Sequence, residues 1–338
     1  MNTSHKLRFG LIGFGSFAER SILPAMRALP EVEVVALQKR SPAEAGAKAS
    51  AHGIRLAFAT ADALAAHPDV DAVFIASANA AHCSETLAAA KAGKHVLVEK
   101  PMALNVREAE LMIQACRDAG VLLMVGHLVR FSPLIRRIRD TIRSGALGAI
   151  TYARADFAYD GRMSHRGWLR NRLVAGGGPV FDIGVHCLDT LRFVLDDEVT
   201  SVSAMLSPEP SRDRIEESAL LGLKFSRGTV GAIFCSYISP TRRKQLEIVG
   251  TEGVVTVGDF SSGGLETELT VAYGTDAHPG EKRTETILIP NLITEEVRHF
   301  AGAVVNGSAL ITPGENGLAN QRVLDAALTS GTWGTRME

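Results

Sequence analysis

The sequence predicts a doubly wound α/β domain followed by an α+β domain with a large, mostly antiparallel open sheet. Three observations carry this reading. A glycine-rich turn joins the first apolar strand to a helix, short apolar runs then alternate with helical segments, and from about residue 126 strand-like segments follow one another instead.

The first strand runs into LRFGLIGFGSFAER, Leu7 to Arg20. Gly13, Gly15 and Ala18 form the G-x-G-x-x-A fingerprint of a Rossmann domain. The first glycine permits the tight turn, the second lets backbone approach a pyrophosphate, and the small third residue lets helix and sheet pack closely. Phe14, Ser16 and Phe17 complete the candidate cofactor turn, and Pro24 is expected to kink the helix. A second apolar run, Val32 to Gln38, closes the βαβ unit. Where an acid would bind the ribose 2′-hydroxyl of NAD stand Lys39, Arg40 and Ser41. Two cations and a hydroxyl suit a 2′-phosphate, so NADP is favoured, with NAD still possible.

Three further apolar runs, Asp71 to Ser77, His95 to Lys100 and Val121 to His127, read as buried parallel strands. The helix through ETLAAAKAG ends at Gly93, and Asn105 with Glu108 resembles a capping box. These elements define a dinucleotide domain over residues 1–125. The second domain, residues 126–338, opens on the amphipathic helix SPLIRRIRDTIRSG. Its strands are YARADFAYD, SVSAMLS, SALLGLKFS, TVGAIFCSYIS, KQLEIVG and GVVTVG, interrupted by the helix PVFDIGVHCLDTLRFVL. EEVRHFAGAVVNG and ENGLANQRVLDAALTSG are helical, and the last is expected to pack back on the first domain.

The 338 residues include 36 basic and 37 acidic side chains, so no global field favours nucleic acid or an anionic membrane. Cys83, Cys116, Cys187 and Cys235 are widely spaced and form no CxxC pair, which argues against a disulfide framework or zinc knuckle and fits a reducing cytoplasm. No signal-like apolar region precedes the first strand. No apolar run reaches the roughly 18 residues of a membrane span, and a cytoplasmic protein is expected.

After Gly176, Gly177, Gly178 and Pro179, the residues Asp182, His186 and Asp189 fall at i, i+4 and i+7 on an otherwise apolar helix. Such a stripe is either an internal hydrogen-bond network or one wall of a site.

With GFGSFA, AGKHVLVEKPMALN, GGGPVFDIGVHCLD and EIVGTEGVVTV, the chain resembles the glucose-fructose oxidoreductase / inositol dehydrogenase / rhizopine catabolism (Gfo/Idh/MocA) family over nearly its whole length. GWLRNRLVAGGG, VHCLDTLRFVLDD and the absent acid after strand two are nearest in pattern to its NADP-dependent sugar reductases.

The resemblance implies hydride transfer between NAD(P) and a carbinol or carbonyl carbon of a sugar, inositol or related polyol. It places Lys100 and His186 beside the nicotinamide and the reacting carbon, with Asp182 holding substrate. An imidazole with an ordinary pKa near about 6.5 suits exchange of the hydroxyl proton. Ser77, Asn79, His82, Glu99, Lys100 and Trp168 match cofactor-side positions, and the family commonly has a cis peptide before Pro101. Leu169 stands where the family usually has Arg, one place before Arg170. His127 and Arg130, at the domain junction, are candidates for the substrate cleft along with Lys100, Asp182 and His186. Arg162, His165 and Arg166 add local positive charge.

Two other readings compete. A metal-dependent sugar isomerase or lyase would use Asp182, His186, Asp189 and His165 as ligands but leaves the fingerprint unexplained. A non-enzymatic NADP-sensing regulator would not require Lys100, Asp182 and His186 together. The leading expectation is therefore an enzyme without a metal, associating through its open sheet as a homodimer or homotetramer.

Overall fold

The computed structural model describes residues 6–162 and 166–329 and the backbone of 335–336. His165 lies outside the described residues. The chain forms two compact units, one of residues up to Leu128 with Ile293–Gln321, the other of Val129–Leu292 with residues from Arg322 onward. This differs from a single division at residue 126, because a late segment packs with the first unit. Phe300 lies 5.9 Å from Phe9 between ring centroids, the Thr294 hydroxyl donates to the Ala25 carbonyl, and the Val125 N–H donates to the Thr312 carbonyl.

The first unit holds a six-stranded parallel sheet of β1 (Leu7–Ile12), β2 (Val32–Gln38), β3 (Leu56–Phe58), β4 (Ala72–Ile75), β5 (His95–Val98) and β6 (Leu123–Val125). Their order is β3-β2-β1-β4-β5-β6, so the connection reverses direction between β1 and β4. At such a switch point the loops after the two central strands diverge and leave a crevice at the strands' carboxyl ends. The apolar runs are buried because helices cover both sheet faces, as the unbroken burial of Ala72–Ile75 shows. Only β3 escaped the sequence reading, being three residues long and at the edge.

Local signals shaped the helices in part as expected. The Glu108 N–H donates to Asn105 Oδ1 at 3.0 Å, while the Glu108 carboxylate accepts from Leu104 N–H at 3.0 Å, one residue before the amide that a full capping box would engage. Gly93 takes φ +70° just past the helix Asn79–Lys91. Pro24 does not kink a regular helix. The distortion precedes it, as a π-helical turn over Ala18–Ile22, and Pro24 sits in the first turn of Leu23–Arg27, where its missing N–H costs nothing.

The second unit is built on β7 (Ile150–Asp160), β8 (Val199–Ser207), β9 (Ser218–Phe225), β10 (Val230–Ser236), β11 (Ile238–Arg243), β12 (Leu246–Gly250), β13 (Gly253–Val257), β14 (Leu265–Gly274), β15 (Pro279–Ile289) and β16 (Thr335–Arg336). The order is β15-β14-β13-β12-β7-β10-β9-β8-β16, with β11 also pairing with β7. Every pair is antiparallel except β10 with β7. The run TVGAIFCSYIS is two strands, split at Tyr237. The hairpin β14-β15 went unread, since β15 is exposed along nearly its whole length and carries no apolar alternation. One face of the sheet is covered: the helices Pro133–Arg143 and Val185–Leu195 pack together, the latter against β7. Ala219, Leu221, Leu223 and Phe225 alternate into that core. All four cysteines are buried and free, and among the described residues no helix is long and apolar enough to cross a membrane.

Candidate active site

The candidate nucleotide site, in the first unit, is made mostly of backbone. Gly13 ends β1 with φ +76°, and a Cβ there would lie 2.5 Å from the Cα and N of Ser77, which follows β4. Only glycine satisfies both the conformation and the contact. The turn is held by Gln38 at the end of β2: its Oε1 accepts from Gly13 N–H at 3.0 Å, its carbonyl accepts from Phe14 N–H at 2.9 Å, and its Nε2 donates to the Ala59 carbonyl at 2.9 Å. Gly15 is exposed, and a Cβ on it would meet nothing closer than 3.8 Å. An open, side-chain-free backbone at the β1/β4 switch point fits a pyrophosphate. Ser16 and Phe17 are exposed around it, whereas the Phe14 ring is buried and packs edge-on to His52 at 5.6 Å. Phe14 therefore offers a ligand only its backbone.

After β2 the three expected phosphate ligands differ. The Lys39 ammonium pairs with Glu44 at 2.7 Å, and the Ser41 hydroxyl caps the helix Pro42–His52 by accepting from Glu44 N–H. Arg40 is exposed.

Past β4 and β5 the loops are tied together from beneath. His82 is completely buried, with Nδ1 3.0 Å from the Pro101 carbonyl and Nε2 3.2 Å from the Ser77 carbonyl. Burial pushes its pKa down to about 4, and the neutral ring, with one N–H, donates to one of these two carbonyls and packs against the other, between the Ser77 loop and the Lys100-Pro101 loop. It is a support, not a cofactor contact as expected, because no ring atom reaches the surface. Asn79 is likewise buried and is the first residue of its helix. The Lys100-Pro101 peptide is cis, Lys100 is half-buried, and Glu99 is buried. The Ser77 hydroxyl donates to Glu85, whose carboxyl burial raises to about 7 against the pull of that hydrogen bond.

His127 was expected to meet substrate, but it is buried, its Nε2 3.0 Å from Asn320 Nδ2. Arg130 is also removed from that role. Its guanidinium forks onto Asp189 at 2.8 and 2.9 Å, buried, with the Phe193 ring 4.9 Å away. A bidentate buried pair of this kind is a packing element, and it accounts for Asp189 on the polar stripe.

The candidate substrate site, in the second unit, is made of side chains. A π-helical turn, Val180–Gly184, leads into the helix Val185–Leu195, and every residue of the two is buried except His186. This single opening in a buried helix is what a site residue requires. Asp182 is anchored from outside its helix: the Tyr237 hydroxyl donates to Oδ2 at 2.9 Å, and Arg166 Nη2 donates to the same oxygen at 3.2 Å. Burial and then the nearby Asp182 charge raise the Tyr237 phenol well above its usual range, so it stays a donor. Tyr159 packs T-shaped on Tyr237 at 5.6 Å, and Phe157 lies 6.0 Å from His186. Phe157 and Tyr159 alternate on β7, so one strand face supplies both rings. Tyr159, Tyr237 and the Asp182 anchorage by Arg166 were not read from sequence. Trp168 is half-buried in the short helix Gly167–Arg170, where Arg170 donates to the Arg162 carbonyl at 2.9 Å and Arg162 pairs with Asp160 at 2.7 Å.

Residues 7–127 match the model described as oxidoreductase family, NAD-binding Rossmann fold, and residues 135–256 match the GFO/IDH/MocA C-terminal domain. A 1,5-anhydro-D-fructose reductase of Ensifer adhaerens is 36% identical over 73% of this chain and 74% of its own length. A D-xylose 1-dehydrogenase (NADP(+)) of Haloferax volcanii is 29% identical over 98% of this chain and 99% of its own. Among solved structures, the aldose-aldose oxidoreductase from Caulobacter crescentus complexed with glycerol superimposes with a TM-score of 0.86 at 27% identity, covering 98% of this chain and 100% of that one. With its NAD-binding Rossmann fold and its C-terminal domain each matched, this chain belongs to the Gfo/Idh/MocA family of NAD(P)-dependent oxidoreductases.

Proposed function

We propose that this protein transfers hydride between NADP and a carbinol or carbonyl carbon of a sugar or related polyol. The observation that carries the reading is His186, the one accessible side chain on an otherwise buried helix, next to a carboxylate held by Tyr237 and Arg166. The names of the relatives, an anhydrofructose reductase and an NADP-dependent xylose dehydrogenase, support the substrate class and the cofactor. The nicotinamide, when bound, supplies or accepts the hydride.

The chain's own groups do the rest. In the reducing direction His186 gives a proton to the substrate oxygen as the carbonyl carbon gains hydride; in the oxidising direction it takes that proton back. The Lys100 ammonium donates a hydrogen bond to the same oxygen and stabilises the negative charge that grows on it. Asp182, whose Oδ2 already accepts from Tyr237 and Arg166, keeps lone pairs for substrate hydroxyls and resists rotation. Arg40, with Lys39 and Ser41, reads the 2′-phosphate. A panel of sugars, ketosugars, inositols and sugar acids, followed by absorbance with NADP(H) and NAD(H), tests this. Turnover of none, or equal turnover with NAD(H), overturns the corresponding part.

The uncovered face of the second unit's sheet supports a homodimer. Met205, Leu220 and Phe234 stand in register across β8, β9 and β10, and farther along the face a shallow cavity of about 890 Å³ is lined by Arg154, Glu247, Thr256, Glu268 and Thr270. An apolar patch beside a polar field on one face suits a second copy of the chain. Sedimentation at micromolar concentration giving only a 36.0 kDa particle would refute it.

A further inference from the structure

We infer that Glu216, a residue outside the family-derived site, is the positioning residue that fixes Asp182 and His186 by holding one arm of their support, while the backbone of the next residue holds the other. The inference rests on the reading of Asp182 and His186 as substrate and proton-transfer groups.

Glu216 is completely buried just before β9. Its Oε1 accepts two backbone N–H groups, from Gly178 at 2.8 Å and Val180 at 3.1 Å. The Gly178 carbonyl in turn accepts from Phe181 N–H and Asp182 N–H, each at 3.1 Å. One carboxylate oxygen is thus two hydrogen bonds from the Asp182 backbone. Gly178 is pressed so closely on this residue that a Cβ would lie 2.1 Å from the Glu216 carbonyl oxygen. Gly178, the last of the three glycines, is therefore the seat of Glu216 at the entry of the π-helical turn.

The second arm starts one residue later. The Glu217 carbonyl accepts from Tyr237 N–H at 2.9 Å, and it is the Tyr237 hydroxyl that donates to Asp182. The side chain of residue 216 and the backbone of residue 217 therefore set, from the two sides, where the Asp182 carboxylate stands. Because Asp182 and His186 are one turn apart, a shift of the turn moves both. Burial raises the Glu216 carboxyl while the two N–H groups pull it back, the balance expected of a group kept for its acceptor geometry. Its Oε2 is buried with no hydrogen-bond partner among the described residues, so charge alone gains little there.

The experiment compares Glu216→Ala with Glu216→Gln, which keeps an acceptor oxygen and removes the charge. For Glu216→Ala the expected result is a fall in kcat on the order of 10²-fold, the usual cost of misplacing reacting groups by about 1 Å, with NADP dissociation constants unchanged. Glu216→Gln should recover most of that loss. Hydrogen exchange followed by mass spectrometry reads the same claim without activity. Residues 176–188 should exchange faster in Glu216→Ala, and near the wild-type rate in Glu216→Gln. Unchanged exchange there, or a Gln variant as impaired as Ala, overturns the positioning role. Should Glu216→Ala not fold, Gly178→Ala presses on the same seat from the other side and should accelerate exchange of the same segment. Wild-type protein that turns over no sugar would refute the functional reading while leaving the exchange result to judge Glu216.

Discussion

The two candidate sites, one in each unit, are built from different materials. The candidate nucleotide site of the first unit is a backbone turn, with Gly13, Gly15 and the Gln38 clasp contributed by two consecutive strands and side chains largely kept out. The candidate substrate site of the second unit is a set of side chains, with Asp182 and His186 on one helix, Tyr159 and Phe157 on β7, Tyr237 after β10 and Arg166 on a loop. A backbone cradle recognises what every dinucleotide shares, whereas a side-chain wall can be re-cut residue by residue. A common cofactor with a variable substrate is the expected consequence.

The largest effect should come from separating the two sites kinetically. Lys100→Met and His186→Asn should each lower turnover by about 10² to 10⁴, with the dissociation constant for NADP moved little in the His186 variant. Near wild-type turnover in both variants would move the chemistry elsewhere. Next is Gly13→Ala. The positive φ alone costs about 1 to 3 kcal/mol, and the collision with Ser77 adds to it, so NADP binding by calorimetry should be lost. Retained binding would mean that the turn is not the cradle. A smaller effect should divide the cations after β2. Arg40→Ala should reduce the preference for NADP over NAD on the order of tenfold, while Lys39→Ala should do less, its ammonium being already paired with Glu44.

The smallest expected effect is a pH slope. Glu85, beside Ser77, titrates at about 7 in the fold against an ordinary value of 4.5. The native state therefore holds a proton that the unfolded chain has released. Its contribution to stability is full below pH 4.5 and is lost as pH rises through 7. Glu85→Gln should flatten the decline in melting temperature between pH 5 and pH 8. An unchanged slope would show that this carboxyl does not govern it.

How far the site could be read from sequence followed the same division. The fingerprint, the strand after it and the Lys39-Arg40-Ser41 run sit within a few dozen residues, where chain connectivity alone brings them together. Lys100, Asp182 and His186 were found through the resemblance. His127 and Arg130 were misassigned because residue type and location were right but their partners were not visible: Asp189 and Asn320 lie 59 and 193 residues along the chain. Tyr237 and Glu216 had no sequence signal, one lying inside an apolar strand run and the other in a charged stretch before a strand.

The sequence by itself determined the order of elements, the parallel and antiparallel character of the two sheets and the glycine positions, since periodicity and φ requirements act over a few residues. The assignment of Ile293–Gln321, but not the rest of the last helix, to the first unit, the burial of His82, His127 and Arg130, and the choice of His186 as the one open side chain of its helix were decided only by tertiary structure. Burial and hydrogen-bond satisfaction depend on which distant segments arrive at the same place.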